Sequence, residues 1–90
     1  ALLFGGEQVL TPRAAFMAVT RAVALEDAAG EISAESITPY PPGIPLVTPG
    51  ERIPAETIAY VRHGVAAGMY ISGLSDPTSQ TVRVVTSARE

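Results

Sequence analysis

The middle of the chain contains a segment that cannot be helical: Pro39-Tyr40-Pro41-Pro42-Gly43-Ile44-Pro45. Five of the eight prolines in the 90 residues fall between Pro39 and Pro49, and each restricts the residue before it to extended or polyproline geometry. Within 41–45, Gly43 alone is free to take a positive φ. We therefore predict a stiff segment that is broken by one defined turn.

Local signals before this segment predict short elements. Thr11 is suited to cap a helix and Pro12 to occupy its first position, so we expect a helix that runs to about Val19. Gly30 is suited to a left-handed C-terminal cap. The other signals predict a strand over 20–24, a helical turn over 25–30 and a strand over 32–38 that ends at the prolines.

Signals after the segment predict the larger helix. Pro54 suits its first position, the apolar residues Ile58, Val61 and Val65 recur at helical spacing, and Gly68 ends it. The remaining signals predict a short strand over 46–48, a turn at 49–50 that presents Glu51, a strand over 69–73, a polar turn region over 74–80 and a closing strand over 82–86. The order predicts an α+β fold, a small mixed sheet covered by one or two helices, with a proline-rich loop.

Composition excludes several classes of protein. The length of 90 residues allows one domain, 1–90, and is too short for a large cofactor-binding fold. The net charge is −3 and the six arginines are dispersed, so we expect no nucleic-acid partner. We also expect no metal site, no membrane span and a cytoplasmic location, since there is no cysteine and no long apolar run. Because the chain does not begin with Met, we expect it to be cut from a longer protein.

The chain contains no lysine, and every basic side chain is Arg apart from His63. Enzymes that use pyridoxal phosphate hold the cofactor through a lysine Schiff base. These 90 residues therefore contain neither a catalytic nor a cofactor-binding residue of that kind, and we expect the isolated chain to be inactive.

The proline-rich segment extends from Thr38 to Leu46 and is followed by Pro49-Gly50-Glu51 and an amphipathic helix. This arrangement resembles the C-terminal domain of the fold-type I ornithine, lysine and arginine decarboxylases, in particular their short, wing-less bacterial members. Similar strings lie on both sides: Leu10-Thr11-Pro12-Arg13-Ala14-Ala15-Phe16, Leu25-Glu26-Asp27-Ala28-Ala29-Gly30, Ile32-Ser33-Ala34-Glu35, Ile71-Ser72-Gly73-Leu74-Ser75-Asp76-Pro77 and Thr81-Val82-Arg83-Val84-Val85. Two positions depart from the family pattern, Ala24 where proline is usual and Glu31 where a basic residue is expected.

The resemblance implies a lyase that removes the α-carboxylate of a basic amino acid, with pyridoxal phosphate bound by a large domain absent from this chain. The product would be a diamine or polyamine. The resemblance also implies that this domain packs on the large domain, shapes the active-site entrance and contributes to a dimer interface. Which of arginine, lysine and ornithine is the substrate stays open, because the discriminating pocket would lie mostly outside this chain.

Candidate entrance or interface residues fall in the matched strings. They are Tyr40, Pro42, Gly43, Ile44, Glu51 and Asp76. Glu51 could meet a cationic substrate, whereas Asp76 before Pro77 is better suited to bonding nearby backbone N–H groups in a turn. Glu35 is a further carboxylate in a matched string, and we expect it to be an ordinary solvated carboxylate or a cap, since carboxylates are usually exposed. An alternative function is an independent non-catalytic adaptor that uses the proline-rich loop for docking, because exposed polyproline segments are common ligands.

Overall fold

The computed structural model describes residues 7–40 and 43–87 and has the α+β fold predicted from the sequence. The elements in chain order are α1 Pro12–Met17, β1 Val19–Ala24, a 3₁₀ helix Leu25–Asp27, β2 Thr38–Tyr40, α2 Ala55–Ala66, β3 Tyr70–Ser72 and β4 Thr81–Ser87. No helix within these described ranges is long and apolar enough to cross a membrane.

The strands form two antiparallel pairs, β1 with β4 and β2 with β3. The second edge of β4 is covered by the segment over 32–34, because Val85 N donates to Ile32 O at 2.8 Å and Ala34 N donates to Arg83 O at 2.9 Å. Ile32 in turn forms a bridge with Arg52. The closing strand therefore joins the first half of the chain to the segment that precedes α2.

One apolar core lies between the strands and α2. The predicted stripe on this helix is confirmed, since Ile58 and Val61 are buried and Val65 packs against the core. The largest fully buried apolar side chains come from both halves of the chain: Ile37, Val47, Ile53, Val61, Val82 and Val84. Burial of such side chains is the main contribution that stabilises a domain of this size.

The predicted strand over 32–38 is wrong in extent and in its end point. Ser33 Oγ accepts from Glu35 N at 3.1 Å and donates to Glu35 O at 2.6 Å, which turns the backbone out of an extended line. Only Ile32, Ser33 and Ile37 make isolated bridges there. The strand proper, β2, includes Pro39, which pairs with Ile71. Proline is compatible with an edge strand because its missing N–H can face away from the partner strand.

Three other boundaries differ from the predictions. Helix α1 ends at Met17 because Ala18 is already extended, with ψ 162°, and β1 begins at the β-branched Val19. Pro54 lies just before α2, at the N-cap, with ψ 149°. The predicted strand over 46–48 is reduced to a single bridge between Val47 and Ile37.

Candidate functional site

The turn at the tip of the proline-rich segment is confirmed, and its geometry is set by Gly43. The Gly43 N–H donates to Pro39 O at 2.8 Å, which closes the turn, and Gly43 has a φ of +88°. A Cβ added at Gly43 would lie 2.7 Å from Cε1 of Tyr40. The Tyr40 ring therefore rests directly over the glycine, at a distance that a larger residue would not allow.

Tyr40 and Tyr70 form an exposed aromatic pair, and Ile44 follows the Gly43 turn beside Tyr40; the pair with this turn is called here the Tyr40 surface. Tyr40 and Tyr70 are register partners across β2 and β3, with ring centroids 6.2 Å apart and planes tilted by 35°. The exposed fractions are 50% for Tyr40, 66% for Tyr70 and 52% for Ile44. The predicted site residue Pro42 lies outside the described residues. An exposed aromatic pair on a stiff turn can stack on a partner and hydrogen-bond through its hydroxyl groups.

Glu51, at the base of the segment, is half-buried and has a structural contact. Its Oε1 accepts from Thr48 N at 2.8 Å, while Glu51 N donates to Thr48 O at 3.1 Å. Gly50 in the same turn has a φ of +94° and its N–H donates to Ser33 O at 2.9 Å. The carboxylate of Glu51 therefore closes its own turn rather than extending towards the Tyr40 surface.

Asp76 has the turn-forming role that the sequence favoured. Its Oδ1 accepts from Thr78 N at 2.8 Å and from the Thr78 hydroxyl at 2.7 Å. Its Oδ2 accepts from Gln80 N at 3.3 Å and from the backbone N–H and hydroxyl of Thr81, both at 3.0 Å. The hydrogen bonds from Thr78, with those from Thr81 and Gln80, lower the pKa of Asp76 from its ordinary value of 3.8 to about 2.

Glu35, which the sequence suggested to be a solvated carboxylate, connects distant segments of the fold by hydrogen bonds. It is half-buried, its Oε1 accepts from Arg83 N at 3.0 Å, and its Oε2 accepts from Ser75 N at 2.8 Å and from the Ser75 hydroxyl. These partners lie 40 and 48 residues away along the chain. No local sequence signal could have found a contact of this separation.

A groove of about 440 Å³ lies between the 3₁₀ helix, the end of α2 and the turn before β4. Its lining includes Leu25 and Val65 on the apolar side and the oppositely charged side chains of Glu26 and Arg62. None of the candidate entrance or interface residues that the structure describes lines this groove. Among the residues described, no three Asp, Glu or His side chains are grouped closely enough to hold a metal ion.

Comparison with known proteins identifies the family. The sequence-family model described as the Orn/Lys/Arg decarboxylase C-terminal domain matches residues 5–78 of this chain. The chain belongs to the Orn/Lys/Arg decarboxylase family. An arginine decarboxylase of Bacillus anthracis is 45% identical over 76 residues, which cover 84% of this chain and 15% of that protein.

Two solved decarboxylase structures share the fold. The constitutive lysine decarboxylase of E. coli matches with a TM-score of 0.75 and 29% identity, over 91% of this chain and 14% of that one. The Francisella novicida lysine decarboxylase LdcF matches with a TM-score of 0.72 and 27% identity, over 89% of this chain and 13% of that one. The chain thus spans about one seventh of the length of these three decarboxylases.

The match to the Orn/Lys/Arg decarboxylase family covers Tyr40, Gly43, Glu51 and Asp76 and ends before β4. The residues of this chain do not fit the cofactor of such enzymes, because none of the 90 is a lysine that could form the Schiff base. No step of the chemistry is therefore assigned to them.

Proposed function

We propose that this chain is the C-terminal accessory domain of a pyridoxal phosphate-dependent decarboxylase acting on arginine, lysine or ornithine. The large domain of the same polypeptide holds the cofactor, which serves as the electron sink when the α-carboxylate leaves. The proposal is supported by the family match over 5–78 and by the small share of each relative that the chain covers. The enzyme, a lyase of diamine and polyamine synthesis, is proposed to be cytoplasmic and at least a homodimer.

We further propose that the Tyr40 surface lies at the entrance of the active site. The observation that carries this step is the exposure of Tyr40, at 50%, on a turn that the Gly43 N–H closes. Prolines and the glycine turn limit the conformations of the segment before anything binds, so little further entropy is lost on contact. Tyrosine suits such a place because its ring packs while its hydroxyl tolerates water.

The chain is proposed to attract the cationic substrate through its overall negative charge rather than through a direct ion pair. The net charge of −3 favours the approach of a cationic amino acid. Glu51 adds to this field from the base of the segment, although its Oε1 is occupied by Thr48 N. Asp76 has both oxygens occupied within its own turn and is proposed to position the turn only.

The entrance is tested by Gly43→Val in the full-length decarboxylase. A branched side chain at φ +88° would displace the Tyr40 ring and strain the turn. We expect kcat/KM to fall about tenfold, a change of roughly 1.4 kcal/mol, while bound cofactor measured by absorbance is unchanged. Gly30→Val is the matched control, since Gly30 also has a positive φ, +84°, but no atom within 4 Å of its added Cβ.

The electrostatic contribution is tested by Glu51→Gln. The amide oxygen can still accept from Thr48 N, so the turn keeps its shape while one negative charge is lost. We expect KM for the cationic substrate to rise about twofold to fivefold with kcat unchanged. Glu56→Gln removes the same charge from an exposed position on α2 and should leave KM near the wild-type value.

Two results would contradict the proposal. If Gly43→Val keeps wild-type kinetics and lowers only the melting temperature, the segment is a scaffold and not an entrance. If the full-length protein decarboxylates none of the three amino acids in the presence of cofactor, the adaptor function becomes the better explanation for the Tyr40 surface.

A further inference from the structure

Three exposed apolar side chains, Phe16, Met17 and Val19, lie at the junction of α1 and β1, away in sequence from the aromatic pair, and are called here the Phe16 face. The exposed fractions are 84% for Phe16, 53% for Met17 and 48% for Val19. All three lie within four consecutive positions, where α1 ends and β1 begins. Phe16 is the most exposed large apolar side chain among the residues described.

The orientation of α1 explains why this face is exposed. Thr11 Oγ1 accepts from Ala14 N at 3.0 Å, which caps the helix, and the one buried residue of α1 is Ala15. The helix therefore turns its smallest side chains towards the domain and its two largest apolar side chains away from it. Exposing the apolar surface of Phe16 and Met17 to water costs free energy that burial would avoid. The arrangement is therefore favourable only when something covers these side chains.

The same place has an open strand edge. Among the described residues, β1 pairs with β4 alone, so the other edge of a six-residue strand has no neighbouring strand. An exposed edge beside exposed apolar side chains promotes association with other chains, and proteins generally cover such edges. Val19 belongs both to the Phe16 face and to this strand, so the unpaired edge and the exposed apolar side chains meet at one place, which is expected to be covered.

We propose that the Phe16 face docks permanently on the remainder of the same decarboxylase polypeptide, that is, on its large domain. This inference rests on the proposed function. The matched segment covers only 15% of the arginine decarboxylase of Bacillus anthracis and 14% of the E. coli lysine decarboxylase, so ample polypeptide lies outside it. The three side chains carry no hydroxyl or charge, which suits a dry, permanent contact, whereas the tyrosines of the Tyr40 surface suit a wetted one.

The chain contains two natural reporters for this contact, its only methionines, Met17 and Met69. Met17 is 53% exposed, and Met69 is half-buried against the core. Peroxide oxidation of the native full-length enzyme, read peptide by peptide by mass spectrometry, is compared with oxidation in denaturant. We expect Met17 to oxidise about tenfold more slowly in the native enzyme, because a docked face excludes the oxidant. Oxidation of Met17 at the denatured rate would overturn the proposal.

Phe16→Ser in the full-length enzyme separates docking from folding. We expect Met17 to lose its protection while Met69 keeps its own, which means that the domain stays folded but is no longer docked. Arg13→Ser, at an exposed position of the same helix, is the control and should leave both rates unchanged. If Met17 stays protected in the Phe16→Ser enzyme, the face is not the docking surface and the proposal is wrong.

A second copy of the chain is the main competing occupant, and dilution distinguishes it. If Met17 is covered by its own polypeptide, its protection from oxidation does not depend on enzyme concentration. If it is covered by another subunit, the protection is lost at the dilution where size-exclusion chromatography shows monomers. Loss of protection in the monomer would overturn the proposal. Failure of the proposed function is detected separately, as absence of decarboxylation by the wild-type enzyme, and does not affect the oxidation measurement.

Discussion

The tip and the base of the proline-rich segment are built alike and used differently. Each contains a glycine with positive φ, Gly43 with +88° at the tip and Gly50 with +94° at the base. A Cβ at Gly43 would meet the Tyr40 ring at 2.7 Å, whereas a Cβ at Gly50 would meet the carbonyl oxygen of Leu10 at 2.1 Å. The tip is bounded by a side chain that can move, and the base by a backbone that cannot.

This difference indicates which part of the segment is available to a partner. At the base, Gly50 N donates to Ser33 O and the Glu51 carboxylate closes the turn, so the polar groups face inward. At the tip, Tyr40 and Ile44 keep half of their surface exposed. The same pattern extends to Glu35, whose carboxylate is bound inside the domain. Composition alone does not distinguish an outward loop from an inward one.

The comparison is tested most directly by placing alanine at each glycine. Both variants lose the freedom of glycine at positive φ, which costs about 1–2 kcal/mol. Gly50→Ala also forces the Leu10 carbonyl to move, so we expect about 3 kcal/mol or more of lost stability in total. Urea unfolding of the 90-residue chain measures both. Equal losses for Gly43→Ala and Gly50→Ala would show that the base is no more constrained than the tip.

Glu35→Ala tests whether an inward carboxylate stabilises the fold. The substitution leaves the Ser75 and Arg83 backbone N–H groups without their acceptor, and we expect a loss of about 2–3 kcal/mol in urea unfolding. Glu31→Ala is the control, because the Glu31 side chain forms a solvent-exposed ion pair with Arg21 at 3.6 Å, and its loss should cost at most about 0.5 kcal/mol. A loss at Glu35 no larger than at Glu31 would mean that these hydrogen bonds contribute nothing net.

The Asp76 carboxylate is expected to contribute a smaller stabilisation of the fold, and this contribution depends on pH. Since its pKa in the folded chain is about 2, below the ordinary 3.8, the ionised carboxylate stabilises the fold above the ordinary pKa. That contribution is lost as the pH falls from about 4 to about 2. We expect Asp76→Asn to melt below the wild type at neutral pH, and the difference to shrink across this range.

Thermal melts at several pH values measure the Asp76 effect. Asp27→Asn controls for the removal of one negative charge at an exposed position. A gap between wild type and Asp76→Asn that stays constant down to the lowest pH would show that the carboxylate does not act through its ionised form.

Local signals predicted the positions of most elements because capping and turn chemistry depend on neighbours in sequence. Thr11 with Pro12 begins α1, and Gly30 and Gly43 have the positive φ expected of them. The Ser33–Glu35 turn was missed, since a serine hydroxyl that bonds its own backbone looks no different from one in a strand. Glu35 was expected to be a solvated carboxylate or a cap, and its contacts were missed because its partners are 40 and 48 residues away in sequence.

Gly64 and Gly68, near the end of α2, are two more residues whose roles could not be distinguished from sequence. Close packing and a fraying helix end explain Gly64 and Gly68 equally well from sequence. A Cβ at Gly64 would lie 2.8 Å from the Met69 sulfur, so Gly64 is a close-packing position, whereas Gly68 has a φ of +93° and open space around it. Gly68 is therefore a left-handed cap rather than a fraying end, because Met69 N donates to Gly64 O at 2.8 Å and closes the end of α2.

Residue types and local order were enough to predict the α+β class, the positive φ of Gly43, the lack of a cofactor lysine and the resemblance to the Orn/Lys/Arg decarboxylase family. These properties depend on residue type, backbone restriction and short-range order. The packing of distant segments leaves Phe16 and Tyr40 facing outward and brings the Glu35 carboxylate against the backbone N–H groups of Ser75 and Arg83. Exposure and hydrogen-bond partners depend on which segments pack together, and the packing of segments 40 or more residues apart leaves no local pattern to detect.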